Sequence, residues 1–173
     1  MGFFGNLFGK GKKEESGKIT CKDKTIYSPL AGTVIPLAEV EDPVFSQGMM
    51  GLGVGIIPAE GKLYAPADGT VAAVFPTGHA VGMETEDGME LLLHIGIDTV
   101  EMKGKGFKAV VAQGAKVKAG DLLVEFEPEV IKAAGYKLSV LQLSGCVIYY
   151  ITLFQYFVLP HPSVALDELF SFH

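Results

Sequence analysis

Cysteine is almost absent from this chain. Its 173 residues hold two, Cys21 and Cys146. They form neither the paired spacing of a zinc site nor a disulfide framework, and such usage fits a reducing cytoplasm. Charge is sparse as well, at 20% of residues with a net value of −6. Beyond residue 18 the basic side chains are scattered, so the footprint of a nucleic-acid partner is missing. No secretory signal is visible, since the apolar positions near Met1 are broken by glycine and lysine. No apolar stripe of helical period runs for a useful length, which argues against a helical architecture.

What is present is a folding-competent, short-range apolar pattern. Apolar residues make up 49% of the chain, enough for one domain with a real core. From Thr25 to Phe126, Val, Ile, Leu and Phe alternate with glycine-rich punctuation, as in Gly32-Thr33-Val34-Ile35-Pro36 and Gly69-Thr70-Val71-Ala72-Ala73-Val74. This pattern predicts an all-β fold, an antiparallel β-sandwich or barrel. Ile26–Val34 is echoed by Leu63–Val71 at a shift of 37 residues. The echo implies duplicated hairpin units. Residues 128–135 form the best short helix candidate.

Two histidines flank a turn signal. Asp87-Gly88 between apolar runs predicts a hairpin. With those two residues as the turn, Glu84 faces Leu91 and Val81 faces His94. His79 then shares a face with His94, as a diagonal neighbour at roughly 7–8 Å. A one-residue slip would send the two to opposite faces. Paired imidazoles suit metal binding, proton transfer or nucleophilic catalysis. Histidines satisfied by backbone in a core are the bland alternative.

The run His94-Ile95-Gly96-Ile97-Asp98-Thr99-Val100-Glu101, followed by Lys103-Gly104-Lys105-Gly106-Phe107, resembles the IIA domain of the glucose-type sugar phosphotransferase system. Tyr64–Thr70, Phe75–Ala80, Pro29–Gly32 and Gly114–Asp121 are similar to that family too. The likeness covers about Ile26 to Lys137. It implies a duplicated β-sandwich and a phosphocarrier fed by phosphoenolpyruvate. By resemblance, His94 accepts a phosphoryl group from the phosphocarrier HPr and passes it to the IIB domain of a sugar permease. His79 stabilises the phosphoryl group and Thr77 orients His79. Asp42 and Asp98 flank the site and attract a partner. Phe45, Met49, Met50 and Phe75 form an apolar collar for docking, since exposed apolar patches mark interaction sites and methionine suits several partners. Regulated enzymes or permeases are further expected partners. No cofactor is required, although zinc held by His79 and His94 against a partner's carboxylate is a second use of the pair. Solvated carboxylates and ordinary core remain the plain readings of the flanking aspartates and the collar.

Two rival functions fit less well. A zinc endopeptidase on a related β-fold needs a His-x-His pair on one strand, and none occurs. A lipoyl- or biotin-carrier module would use Gly114–Leu123 as its closing hairpin and Lys103 for attachment. Lys103, however, precedes Gly-Lys-Gly rather than a tight apolar turn.

The two ends differ from the middle. Residues 1–18 read as a separate tail in which Phe3, Phe4, Leu7 and Phe8, with nearby lysines, suit weak adsorption of residues 3–13 to the inner membrane surface. The expected location is cytoplasmic or peripheral to that surface. The phosphocarrier domain is expected over 19–138. Residues 139–173 read as an atypical apolar tail, non-homologous or out of frame, with a divergent closing strand pair and a membrane-seeking tail as alternatives, because no charged residue occurs between Lys137 and Asp167. From about Val140 onward the chain is not expected to complete the sandwich.

Overall fold

In the computed structural model, residues 26–144 are described. Residues 3–13, expected to adsorb to a membrane surface, and the tail beyond Ser144 lie outside them. The described chain is all-β, as its alternating apolar pattern predicts. Its strands in order are β1 (Gly32–Pro36), β2 (Leu52–Pro58), β3 (Lys62–Tyr64), β4 (Gly69–Val74), β5 (Ala80–Thr85), β6 (Glu90–Ile95), β7 (Phe107–Ala109), β8 (Lys116–Val117), β9 (Leu122–Phe126) and β10 (Val140–Ser144). One short helix, α1, spans Pro43–Ser46, and a second, α2, spans Pro128–Ala133. The second lies where the sequence placed its helix, with Pro128 at the start, where a missing N–H costs nothing.

All strand pairs are antiparallel. Seven strands form one sheet in the order β1-β2-β10-β6-β5-β4-β8, and three form another in the order β3-β9-β7. The main core includes Leu63, Val71, Val81, Met83, Leu93, Ile95, Leu123 and Ile131, with Ile56 and Val140 from the neighbouring strands. On the other face of the large sheet lies a smaller cluster of Val40, Ile97, Leu141 and Leu143. The segment Leu37–Phe45 packs against it through Leu37 and Phe45.

The internal echo has a physical counterpart. Tyr27 N–H donates to the Pro66 carbonyl at 2.8 Å, and Tyr64 N–H donates to the Pro29 carbonyl at 2.7 Å. The two copies therefore bond each other reciprocally. In each copy the glycine after that turn, Gly32 or Gly69, opens a strand.

Two expectations need correction. The hairpin register differs by one residue: Ala80, not Val81, is opposite His94, and Met83, not Glu84, is opposite Leu91. A two-residue type I′ turn needs positive φ at both central positions. Gly88 has φ +84, but Asp87 is not among the residues with positive φ. Thr85 N–H instead donates to the Met89 carbonyl at 2.9 Å, and Gly88 N–H donates to the Thr85 carbonyl at 3.0 Å. The Thr85 hydroxyl also accepts from Met89 N–H at 2.9 Å and bonds Asp87. Glu86-Asp87-Gly88 is thus a three-residue loop with glycine in the left-handed position.

The other correction concerns the boundary at residue 138. Val140–Ser144 is not part of an atypical tail. It is β10, inserted between β2 and β6 and paired with both. Val140, Leu141 and Leu143 are fully buried. A strand enclosed on both edges needs no charge, so the start of the uncharged run marks a central strand.

Candidate functional site

His94 is on β6 and faces the smaller cluster, directly opposite Leu141 of β10. Its ring centroid is 5.0 Å from that of His79, and the rings are nearly perpendicular at 83°. The register correction removes the expected reason for this meeting but not the meeting itself. His79 is the last loop residue before β5, bracketed by the Phe75 N–H to Ala80 carbonyl bond at 3.1 Å. Strand alternation therefore does not fix its side-chain direction. The loop does so instead. Gly78 adopts φ +70, a conformation glycine enters without a Cβ penalty. Its N–H returns to the Phe75 carbonyl at 2.7 Å. The His79 carbonyl accepts from Ile95 N–H at 2.8 Å, which fastens the loop beside His94.

Thr77 Oγ1 lies 2.5 Å from His79 Nδ1. That bond occupies Nδ1 and leaves Nε2 of His79 free to face a ligand. Phe75 meets the His79 ring edge-on at 5.5 Å, and Phe45 meets the His94 ring at 5.4 Å. Two of the four expected collar residues thus touch the histidine pair directly. Met49 is 71% exposed, Met50 47% and Phe75 41%, values suited to a surface that receives a partner. Asp98 is exposed and Asp42 half-buried. No group of three or more metal-ligating side chains occurs among the described residues. His79 and His94 alone would hold an ion only if a partner completed its shell.

The electrostatics set the protonation state. Burial pushes the His94 pKa down to about 4, and the neighbouring His79 adds to the effect. The Gly96 backbone, Asp98 and Asp42 pull the other way, but more weakly. Burial also lowers the pKa of His79. Both imidazoles are therefore neutral at pH 7. Nδ1 of His94 is buried without an aligned hydrogen-bond partner. The Gly96 backbone is near enough to favour a proton on the ring without closing a regular bond.

The turn after His94 is built for close approach. Gly96 has φ +75, and a Cβ there would stand 2.5 Å from Thr99 Cγ2 and 3.2 Å from the Lys137 carbonyl oxygen. Thr99 is fully buried and donates its hydroxyl to the Ile95 carbonyl at 2.5 Å. Asp98, at φ 56, completes the reversal.

One feature escaped the sequence reading. Asp42 Oδ1 accepts from Val44 N–H at 2.8 Å and from Phe45 N–H at 3.2 Å. It caps α1 as well as carrying charge toward the site. Asp42-Pro43 is a visible signal, since Asp before Pro is a helix-start pattern.

The sequence profile of the phosphoenolpyruvate-dependent sugar phosphotransferase system EIIA 1 family matches residues 24–144. The chain is 48% identical over 129 residues to the "PTS system glucose-specific EIIA component" of Halalkalibacterium halodurans, covering 75% of each chain. It is 50% identical over 131 residues to the "PTS system beta-glucoside-specific EIIBCA component" of the same organism, covering 76% of this chain. There it spans only 19% of the relative's length. Among solved structures, glucose permease IIA from Mycoplasma capricolum superposes with a TM-score of 0.63 at 42% identity, covering 68% of this chain and 77% of that one. The protein belongs to the EIIA 1 family of the phosphoenolpyruvate-dependent sugar phosphotransferase system.

Proposed function

We propose that this IIA domain carries a phosphoryl group on His94, taking it from phospho-HPr and giving it to the IIB domain of a sugar permease. The observation that carries this reading is the pair of nearly perpendicular imidazoles 5.0 Å apart, with Phe45 against one ring and the exposed Phe75 against the other. A neutral imidazole has a lone pair to offer, and burial keeps His94 neutral across the physiological range. With Nδ1 buried, Nε2 is the reacting nitrogen. Its lone pair attacks phosphorus as the bond from phosphorus to the donor's nitrogen breaks. Departure to the acceptor reverses the geometry.

His79 serves the transferred group rather than forming a bond to it. Thr77 occupies its Nδ1, so Nε2–H can donate to a phosphoryl oxygen. Such pre-set donors stabilise transferring charge without reorganising. Asp42 and Asp98 act in the opposite sense on a dianion held nearby. They keep phospho-His94 high in energy and therefore a willing donor, and they attract a cationic partner face. Phe45, Phe75, Met49 and Met50 exclude water from the junction when a partner docks.

The chemistry needs no cofactor in this reading. A zinc ion shared by His79, His94 and a partner's carboxylate would compete with phosphorylation for the same lone pairs. Incubation with phosphoenolpyruvate, the first enzyme of the system and HPr, followed by intact-mass measurement, tests the proposal. One added phosphoryl group, labile in acid and stable in base, is expected. No mass gain in the presence of active phospho-HPr would overturn it.

A further inference from the structure

We propose that Asp42 is a positioning residue, which through its capping oxygen seats Phe45 on the His94 ring. This rests on the phosphocarrier reading above but assigns Asp42 a task that partner attraction does not include. The segment Leu37–Phe45 lies on the outer face of the large sheet, against Leu141 and Leu143. Little regular structure holds it there. It contains one turn of 3-10 helix at Leu37–Glu39 and the start of the four-residue α1. A helix this short cannot persist on its own hydrogen bonds, since nucleation is costly. Its first N–H groups must find other acceptors.

Asp42 supplies them. Its backbone is extended, at φ −149 and ψ 124, and Oδ1 alone takes both Val44 N–H and Phe45 N–H. The Asp42 carbonyl accepts from Ser46 N–H at 2.8 Å, closing the same turn. Pro43 fixes the first helical φ. The residue whose N–H is held is the residue whose ring lies on His94 at 5.4 Å and 50°. Phe45 is also the aromatic that this segment contributes to the small cluster. Cap, aromatic and reactive ring are thus linked in series.

A second tie holds the same segment. Glu41 pairs with Lys137, and the Lys137 carbonyl accepts from Ile97 N–H at 2.9 Å. Both charged side chains are more than half exposed. Exposed ion pairs contribute little, so Glu41 is secondary to the cap.

The charge of Asp42 and its capping oxygen can be separated by substitution. Asparagine caps about as well as aspartate and is uncharged, serine also caps, and alanine does not. If Asp42 positions Phe45, then Asp42→Asn and Asp42→Ser keep the Phe45 ring on His94, and Asp42→Ala frees it. The readout is the nuclear Overhauser effect between the two rings in each purified variant, measured without any partner. At saturating phospho-HPr, Asp42→Ala should accept phosphate roughly two- to thirty-fold more slowly than Asp42→Asn, the range that removal of a cap commands. Equal rates for the two, with the ring-to-ring effect intact in Asp42→Ala, would overturn the proposal and leave charge as the only role. If Asp42→Ala does not fold, Asp42→Ser compared with the unsubstituted chain decides. A ring-to-ring effect preserved in Asp42→Ser supports the proposal, and its disappearance while the sheet stays folded overturns it. Failure of the unsubstituted chain to take up phosphate would instead sink the phosphocarrier reading and leave the Overhauser result standing.

Discussion

His79 and His94 meet edge-to-face at 5.0 Å although their backbones are not on matched faces of a regular ladder. The loop Pro76–His79 brings one ring to the other, and its hydrogen bonds hold it there. This separates the two residues mechanically. His94 is built into a central strand pair, while His79 rides on a loop end beside it. His79 is nonetheless buried and held by Thr77 and by Ile95 N–H, so both rings are set in place in advance.

Substitution should therefore distinguish the two. His94→Gln removes the lone pair proposed to attack phosphorus, and uptake should fall below detection by intact mass. His79→Gln keeps that lone pair and retains a donor amide. It should still take up phosphate from phospho-HPr but release it to the IIB domain at least about ten-fold more slowly, the scale of one misplaced transition-state donor. Uptake abolished in His79→Gln and preserved in His94→Gln would mean the roles are reversed.

The pH dependence follows from burial. His94 has a folded pKa of about 4, against an ordinary value of about 6.5 when unfolded. Between these values the unfolded chain binds a proton that the folded chain refuses. Stability from this group is present above about pH 6.5 and is lost as pH falls toward 4. His79 acts in the same direction. Imidazole resonances followed by NMR should show His94 still neutral at about pH 5.5, between the two values. A midpoint at the ordinary value would show that the site is wetter than its packing implies.

Gly96 should not tolerate a side chain. Alanine would combine φ +75 with a Cβ 2.5 Å from Thr99 Cγ2. A strained backbone of this kind costs on the order of 1–3 kcal/mol, and the clash adds to it. Thr99 is buried and bonded to Ile95, so it has little room to yield. Gly96→Ala is expected to lower the melting temperature by several degrees and to slow phosphoryl uptake, because Ile95 and Gly96 carry His94. An unchanged melting temperature would show that the turn can relax.

Much of the fold could be read from the sequence because period-two patterns and glycine turns are local signals. The repeat, the all-β class and α2 all follow from short windows. The hairpin register was not legible, because Asp-Gly specifies that a turn occurs more firmly than it specifies loop length. The Thr85 hydroxyl, which draws Asp87 and Met89 into the loop, tips the choice by one residue. The meeting of the histidines survives that error because His79 is outside the ladder. The central position of β10 was hidden for a different reason. Its partners are Leu52–Ile56 and Leu91–Ile95, distant in sequence, and an uncharged run looks the same in a core as in a tail.

The role of β10 gives the sharpest stability test. Chains ending after Leu138 and after Ser144 differ by six residues, five of which form the strand between β2 and β6. Removing it exposes the surfaces that Val140, Leu141 and Leu143 cover, each of them fully buried. Each such side chain contributes about 1.5–3 kcal/mol through burial. The cut also strands the inner edges of β2 and β6, whose ladder groups lose their partners. Leu141 is directly opposite His94, so the floor of the site goes as well. The combined cost reaches the whole stability of a typical domain, about 5–15 kcal/mol. The chain ending after Leu138 should be unfolded or insoluble. The chain ending after Ser144 should unfold cooperatively in urea and accept phosphate on His94. Hydrogen exchange gives an independent reading: in the longer chain, amides of Val140–Leu143 should be protected as strongly as those of Leu91–Ile95. A stable, cooperative chain ending at Leu138 would mean that β2 and β6 close the sheet without β10, and that its burial is incidental to the fold.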